Sequence, residues 1–217
     1  VYLFSFADSV FTTPTLQSIL GYNYTGGKNF NLSTLEVSDT FGSGVSLDGN
    51  RLAVSAYGDD GFGNAAALSG AAYLFTFSDS LFSSPTLQAT MGYGYTGGKN
   101  VNMNMLETGD SISGIALEGA VLALGAWGDD GFGGSSALGA QYGAVYLYNF
   151  DDLLFTNAQL DATIGYNYTG GKNINMNGII GGSDYVGGGL SIDQGNLVAG
   201  SAGLDGSGDN YFSTGGA

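Results

Sequence analysis

The sequence predicts an all-β protein built from three tandem copies of one repeat, and three observations predict it. The first is repetition: GYNYTGGKN at 21–29 returns as GYGYTGGKN at 92–100 and GYNYTGGKN at 165–173, at offsets of 71 and 73 residues. The second is composition: 40 glycines, 14 tyrosines and 13 phenylalanines against two prolines in 217 residues describe strands separated by tight turns. The third is that no segment keeps a helical apolar period over about 11 residues. With 43% apolar residues and only 11% charged ones, the chain buries enough surface to fold despite its glycine content.

The repeats divide naturally as residues 1–71, 72–144 and 145–217. VYLFSF (1–6), AYLFTF (72–77) and VYLYNF (145–150) correspond, as do LDGNRLAVSAYGDDGFGN (47–64), LEGAVLALGAWGDDGFGG (117–134) and, more loosely, IDQGNLVAGSAGLDGSGD (192–209). Within one repeat the candidate strands are 45–48, 51–57, 71–77 and 86–91. Asp48-Gly49-Asn50 supplies a hairpin turn between the first two. Apolar residues of the longer connecting stretch, Leu35 and Phe41 with counterparts Leu106 and Ile112, are expected to close over the sheet. Four antiparallel strands per repeat is the pattern of a β-propeller blade. Three four-stranded blades are too few to close a ring. The expected architecture is therefore part of a longer array, an open solenoid or a head-to-tail filament, with a closed propeller completed by more sequence or more subunits as the alternative. The last residues, ending in Gly216-Ala217, joined to Val1-Tyr2-Leu3-Phe4 read GGAVYLF, which mirrors GAVYLY at 143–148. These six residues are the expected assembly points, with one copy's first strand completing another's last repeat.

The phrases DTFGSGVSLDGNRLAVSAYGDDG (39–61) and SGAAYLF (69–75) resemble FG-GAP-type repeats, relatives of the blades of integrin α-chain propellers. The whole repeat is also similar to those of large bacterial adhesins and filamentous-haemagglutinin-like surface proteins. The resemblance implies an extracellular, cell-surface, non-catalytic protein, with calcium bound in interstrand loops and loops that engage glycans or proteins. The second repeat departs from the pattern, reading DSISGIAL at 110–117, and no DxDxDG loop is present.

Charge narrows the function further. Nineteen acidic residues face four basic ones, a net charge of −15, and Lys28, Lys99 and Lys172 recur at one position of the repeat, with Arg51 the fourth cation. No basic patch can form from that set, which excludes nucleic acid and anionic lipid as partners. No apolar run is long enough to insert in a membrane, and any export signal is expected outside this sequence. With neither histidine nor cysteine, Ser-His, thiol and zinc chemistry are excluded, and no enzyme is expected.

Asp59, Asp60 and Asn64, repeated as Asp129 and Asp130 and loosely as Asp205 and Asp209, offer oxygens to calcium. The alternative is that Asp-Gly here is simply a turn dipeptide. YTGGKN lacks the first glycine and the hydroxyl of a phosphate loop. Its Gly-Gly pair is expected to adopt positive φ, and each lysine to neutralise a carboxylate between repeats. Asn23-Tyr24-Thr25, Asn31-Leu32-Ser33 and Asn167-Tyr168-Thr169 fit the glycan-acceptor pattern, although turn-forming asparagine is the better default explanation. The paired tyrosines 22/24, 93/95 and 166/168 suit either an aromatic face for sugars or packing between repeats.

Overall fold

The computed structural model describes residues 1–134 and 139–204, and every helix or strand among them is a strand. β1 (Tyr2–Ser5), β2 (Thr15–Gly21) and β3 (Phe30–Asn31) form a first, three-stranded sheet. β4 (Phe41–Asp48), β5 (Arg51–Ala56), β6 (Ala71–Thr76), β7 (Thr86–Gly92) and β8 (Val101–Asn102) form a second sheet in chain order. β9 (Ile112–Glu118), β10 (Val121–Ala126), β11 (Ala144–Asn149), β12 (Gln159–Gly165) and β13 (Ile174–Asn175) repeat that sheet as a third. β14 (Val186–Asp193) and β15 (Asn196–Ser201) make a fourth, two-stranded sheet.

The four strands expected per repeat are present in the second sheet. The expected count of four is corrected to five, because β7 also pairs in parallel with β8 through Met91↔Val101 and Gly92↔Asn102. The same short parallel strand recurs as β3 beside β2 and as β13 beside β12. Two residues are too few to show a period, which is why periodicity misses them. Three complete blades are not present among the described residues. Two sheets are full, the first holds the counterparts of β6, β7 and β8, and the fourth those of β4 and β5. The full sheets run from 41 to 102 and from 112 to 175, so each spans a repeat edge at 71/72 or 144/145.

Sheets lie face to face, and this explains the strand sequences. RLAVSA of β5 and AAYLFT of β6 are buried at every position, because a sheet covers each face of the second sheet. Alternate residues go opposite ways. Tyr73 and Phe75 pack with Leu3, Leu20 and Leu32 of the first sheet and its following loop. Ala72 and Leu74 enter a separate core with Ile115, Leu122 and Leu124 of the third sheet. Leu106 and Ile112 lie in that core, and Leu35 and Phe41 pack against the preceding one, as their sequence pattern suggests. Full burial of each such side chain contributes about 1.5–3 kcal/mol.

Glycine allows the sheets to approach. A Cβ built on Gly125 in β10, or on Gly114 in β9, would sit 1.9 Å from the carbonyl oxygen of Gly187 in β14. Any side chain there pushes the third and fourth sheets apart. In the YTGGKN segments the glycine pairs do adopt positive φ, with Gly26 at 79° and Gly27 at 59°. The hairpin between β4 and β5 turns through Gly49-Asn50, with Asp48 paired to Arg51 and Gly49 at a φ of 60°.

Candidate functional site

Two kinds of feature recur: an acidic cleft beside each full sheet, and a set of polar contacts from sheet to sheet. The clefts come first. A cavity of about 490 Å3 is lined by Glu107, Asp110, Asp129, Asp130, Phe132 and Tyr168, among others. A second, of about 510 Å3, is lined by the equivalent Glu36, Asp39, Asp59, Asp60, Phe62 and Tyr95. Phe62 and Phe132 are exposed at the rims.

The aspartates expected at the calcium loops are strongly engaged by the protein itself. Asp59 is buried; its Oδ1 accepts the Gly61 amide at 2.8 Å, and its Oδ2 accepts the hydroxyls of Tyr73 at 2.6 Å and Tyr95 at 3.0 Å. Asp129 repeats this with the Gly131 amide at 2.7 Å, Tyr168 at 2.9 Å and Tyr146. The Asp60 carboxylate accepts the Leu68 amide at 2.7 Å, and that of Asp130 the Gln141 amide at 2.9 Å. Asn64 donates to Glu36 at 3.0 Å. Among the described residues no three His, Cys, Asp or Glu side chains are grouped so as to hold a metal ion. Asp205 and Asp209 lie outside the described residues. Gly58, Gly128 and Gly203 donate to the carbonyls of Asp39, Asp110 and Asp184, so Leu204 stands where Asp59 and Asp129 stand.

Burial pushes the Asp110 carboxyl up to about 7, opposed by the Glu107 amide and reinforced by the charges of Asp129, Glu107 and Asp130. Burial pushes Asp39 up as well. Burial first, and then the neighbouring aspartate, hold the Tyr73, Tyr95, Tyr146 and Tyr168 phenols above their ordinary range, so they stay protonated and donate.

The expectation for the lysines holds in part: after hydrogen bonds from Ser83 and Thr156, the charges of Lys28 and Lys99 help to lower the Asp79 and Asp152 carboxyls of the next sheet's loop, while Lys172 meets a carboxylate of its own sheet. Lys28 donates to the Leu81 carbonyl at 2.7 Å, and Lys99 to the Leu154 carbonyl at 2.6 Å, in each case reaching the next sheet's loop. Gln17 and Gln88 accept from them within their own sheets. Lys172 pairs instead with Asp161 of its own sheet at 2.5 Å. At the hairpins, Asp48 accepts the Gly119 amide and Glu118 the Gln194 amide, both at 2.9 Å and both between sheets. Ser46 accepts the Leu117 amide in the same way. Arg51 pairs with Asp48, donates to the Gly119 carbonyl at 2.5 Å, and lies over Phe155 in the loop between β11 and β12.

Asparagines of the repeated motif hold the strands. Asn29, Asn100 and Asn173 accept the amides of Ile19, Thr90 and Thr163, and Asn31 accepts that of Asn23. Asn23 and Asn167 have left-handed backbones, at φ values of 62° and 61°, as turn asparagines do. Of the paired tyrosines, Tyr95 and Tyr168 serve the buried aspartates, Tyr166 stacks on Tyr142 at 3.9 Å, and Tyr22 and Tyr24 are exposed.

Among the expected assembly residues, Leu3 is buried and Val1 packs beside it, while Tyr2 and Phe4 face outward; Gly216 and Ala217 lie outside the described residues. Tyr2 is 59% exposed and Phe4 48%, whereas the matching Tyr73 and Phe75 of the second sheet are at 1% and 0%. Only the full sheets bury this aromatic row. At the hairpin side, Val45 and Leu47 are 55% and 53% exposed, against 5% and 6% for their counterparts Ile115 and Leu117.

Residues 35–75 match the model of the FG-GAP repeat, a stretch that covers β4, β5, the loop with Asp59 and Asp60, and β6 up to Phe75. No curated protein matches the chain.

Asp59→Ala is expected to lower stability by about 2–4 kcal/mol, because it strands the Tyr73 hydroxyl and the Gly61 amide in a buried site. Urea unfolding midpoints measure this. Asp110 predicts a pH effect. Its carboxyl in the folded chain titrates near 7, above the ordinary value of 3.8, so its protonated form favours folding. That contribution is complete below about pH 4 and is lost as pH rises through about 7. Thermal midpoints should fall between pH 5 and pH 8, and Asp110→Asn should flatten that slope.

Proposed function

We propose that the chain is a non-catalytic structural module of an extracellular bacterial surface fibre, in which sheets add to one another face to face. One observation carries this reading. Among the described residues the first and fourth sheets each leave apolar side chains exposed, Tyr2 and Phe4 on one and Val198 on the other, and a strand edge unpaired, and together they hold the five strands of one full sheet. An edge of that kind attracts another strand unless something covers it. Net charge of −15 keeps such a fibre soluble, and the lack of cysteine suits a fold held by packing alone. Stability then grows with each neighbouring sheet rather than residing in a closed core. Electron microscopy of concentrated protein should show unbranched filaments that lengthen with concentration. A monodisperse 22.1 kDa species at every concentration would overturn the reading.

A second reading is a binding module that engages glycans or proteins, with calcium ordering its loops. The exposed Phe62 and Phe132 at the rims of acidic clefts favour it, since aromatic rings stack on sugar faces and carboxylates accept from sugar hydroxyls. Glycan-array binding that Phe62→Ala and Phe132→Ala together abolish, and that calcium chelation weakens, is the outcome this reading expects. Binding that ignores both changes would dismiss it.

A further inference from the structure

The contacts between successive sheets occur more than once in the chain, and each series ends in a residue whose counterpart across the sheet is missing among the described residues. In the lysine series, Lys28 reaches the loop carbonyl of Leu81 and Lys99 that of Leu154. Lys172 is next, its side chain 71% exposed, and the loop position matching Leu81 and Leu154 is Val10 of the first sheet. In the hairpin series, Asp48 caps the Gly119 amide and Glu118 the Gln194 amide. Asp193 is next, its carboxylate without a partner among the described residues, and the matching amide is that of Gly49.

The apolar surfaces follow the same logic. Tyr146 and Tyr148 are buried in a core with Met91 and Met103 of the preceding sheet, as Tyr73 and Phe75 are with Leu20 and Leu32. Tyr2 and Phe4 hold that position in the first sheet, and Ile164 and Met176 of the third sheet are the residues that correspond to Met91 and Met103. Val45 and Leu47 correspond to Ile115 and Leu117, which the second sheet covers.

We propose that a second copy of this chain seats its β1 against β15, so that one sheet is completed across the two copies. Register follows from the pairs already present. Val54↔Tyr73 and Leu124↔Tyr146 place Ala199 opposite Tyr2, and Leu52↔Phe75 and Leu122↔Tyr148 place Leu197 opposite Phe4. Lys172 then donates to the Val10 carbonyl of the second copy, and Asp193 accepts from its Gly49 amide. This junction rests on the reading of the chain as a module that adds sheet to sheet, and it names the partner. A second copy fits because the surfaces exposed on one side are the ones that the internal interfaces bury on the other.

The chain has no cysteine, so single introduced cysteines report the register directly. Ala199→Cys protein mixed with Tyr2→Cys protein should form a disulfide-linked dimer on mild oxidation, because directly opposed strand residues bring their Cα atoms within about 4.4–6.8 Å. Val198→Cys mixed with Tyr2→Cys should form far less, since a one-residue shift turns the side chain to the other face. Lys172→Ala and Asp193→Ala should each weaken self-association about tenfold in sedimentation velocity. Lys99→Ala, which removes an internal contact, should lower the thermal midpoint and leave association unchanged. No Ala199–Tyr2 product, equal yield from the Val198 pair, or indifference of association to both Lys172→Ala and Asp193→Ala would overturn the junction. Closed particles of two chains that nevertheless cross-link at Ala199 and Tyr2 would support the junction and remove the fibre. Filaments without the cross-link would do the reverse.

Discussion

Contact between the faces of successive sheets is the constraint on which the rest depends. A five-stranded sheet of this sequence is apolar on both sides, so in isolation it would leave Tyr73 and Phe75 on one face and Leu74 and Met91 on the other in water. Nothing within one sheet can hide them. Stacking does, and it also dictates the glycines at Gly114 and Gly125, where a neighbour's backbone comes too near for a side chain. The hairpin carboxylates and motif lysines then fix the offset of one sheet on the next. These polar contacts choose among arrangements that apolar packing alone would leave nearly equal in energy.

The buried carboxylates show how an acidic chain tolerates its own interior. Each lies near other negative groups, and only four basic residues exist to answer nineteen acidic ones. Asp59 and Asp129 avoid isolation by accepting from two phenols and a backbone amide rather than from a cation. Asp110 has a single amide on its carboxylate, and burial raises its proton affinity. Burial raises the proton affinity of Asp129 as well, against the hydrogen bonds of Tyr146, Gly131 and Tyr168.

Much of the fold was legible in the sequence, and the reasons it was or was not are specific. The repeat, the four long strands and the Gly49 turn were readable because strand alternation and turn dipeptides are local signals. β8 and its counterparts were not, since Val101-Asn102 is a strand only by virtue of β7 beside it. Glycine was read as turn chemistry. That holds for Gly26 and Gly27, but Gly125 answers to Gly187, a residue about sixty positions away, and no local pattern carries such a demand. The hydrogen bonds that the aspartates at 59 and 129 accept were not readable, because Tyr73 with Tyr95 and Tyr146 with Tyr168 are brought to them from other segments of the chain. Lysine at 28 and 99 was read as a charge partner, and the next sheet's loop offers it both a carbonyl and the nearby charge of Asp79 or Asp152.

The acidic clefts occur at the same place in two successive sheets, so their spacing is set by the stacking distance and not by a flexible linker. A molecule long enough to occupy both at once would bind the second as an intramolecular event, with no new contact needed to raise its overall affinity. Chain length of the guest, rather than the fit of any one group, would then decide how tightly it is held.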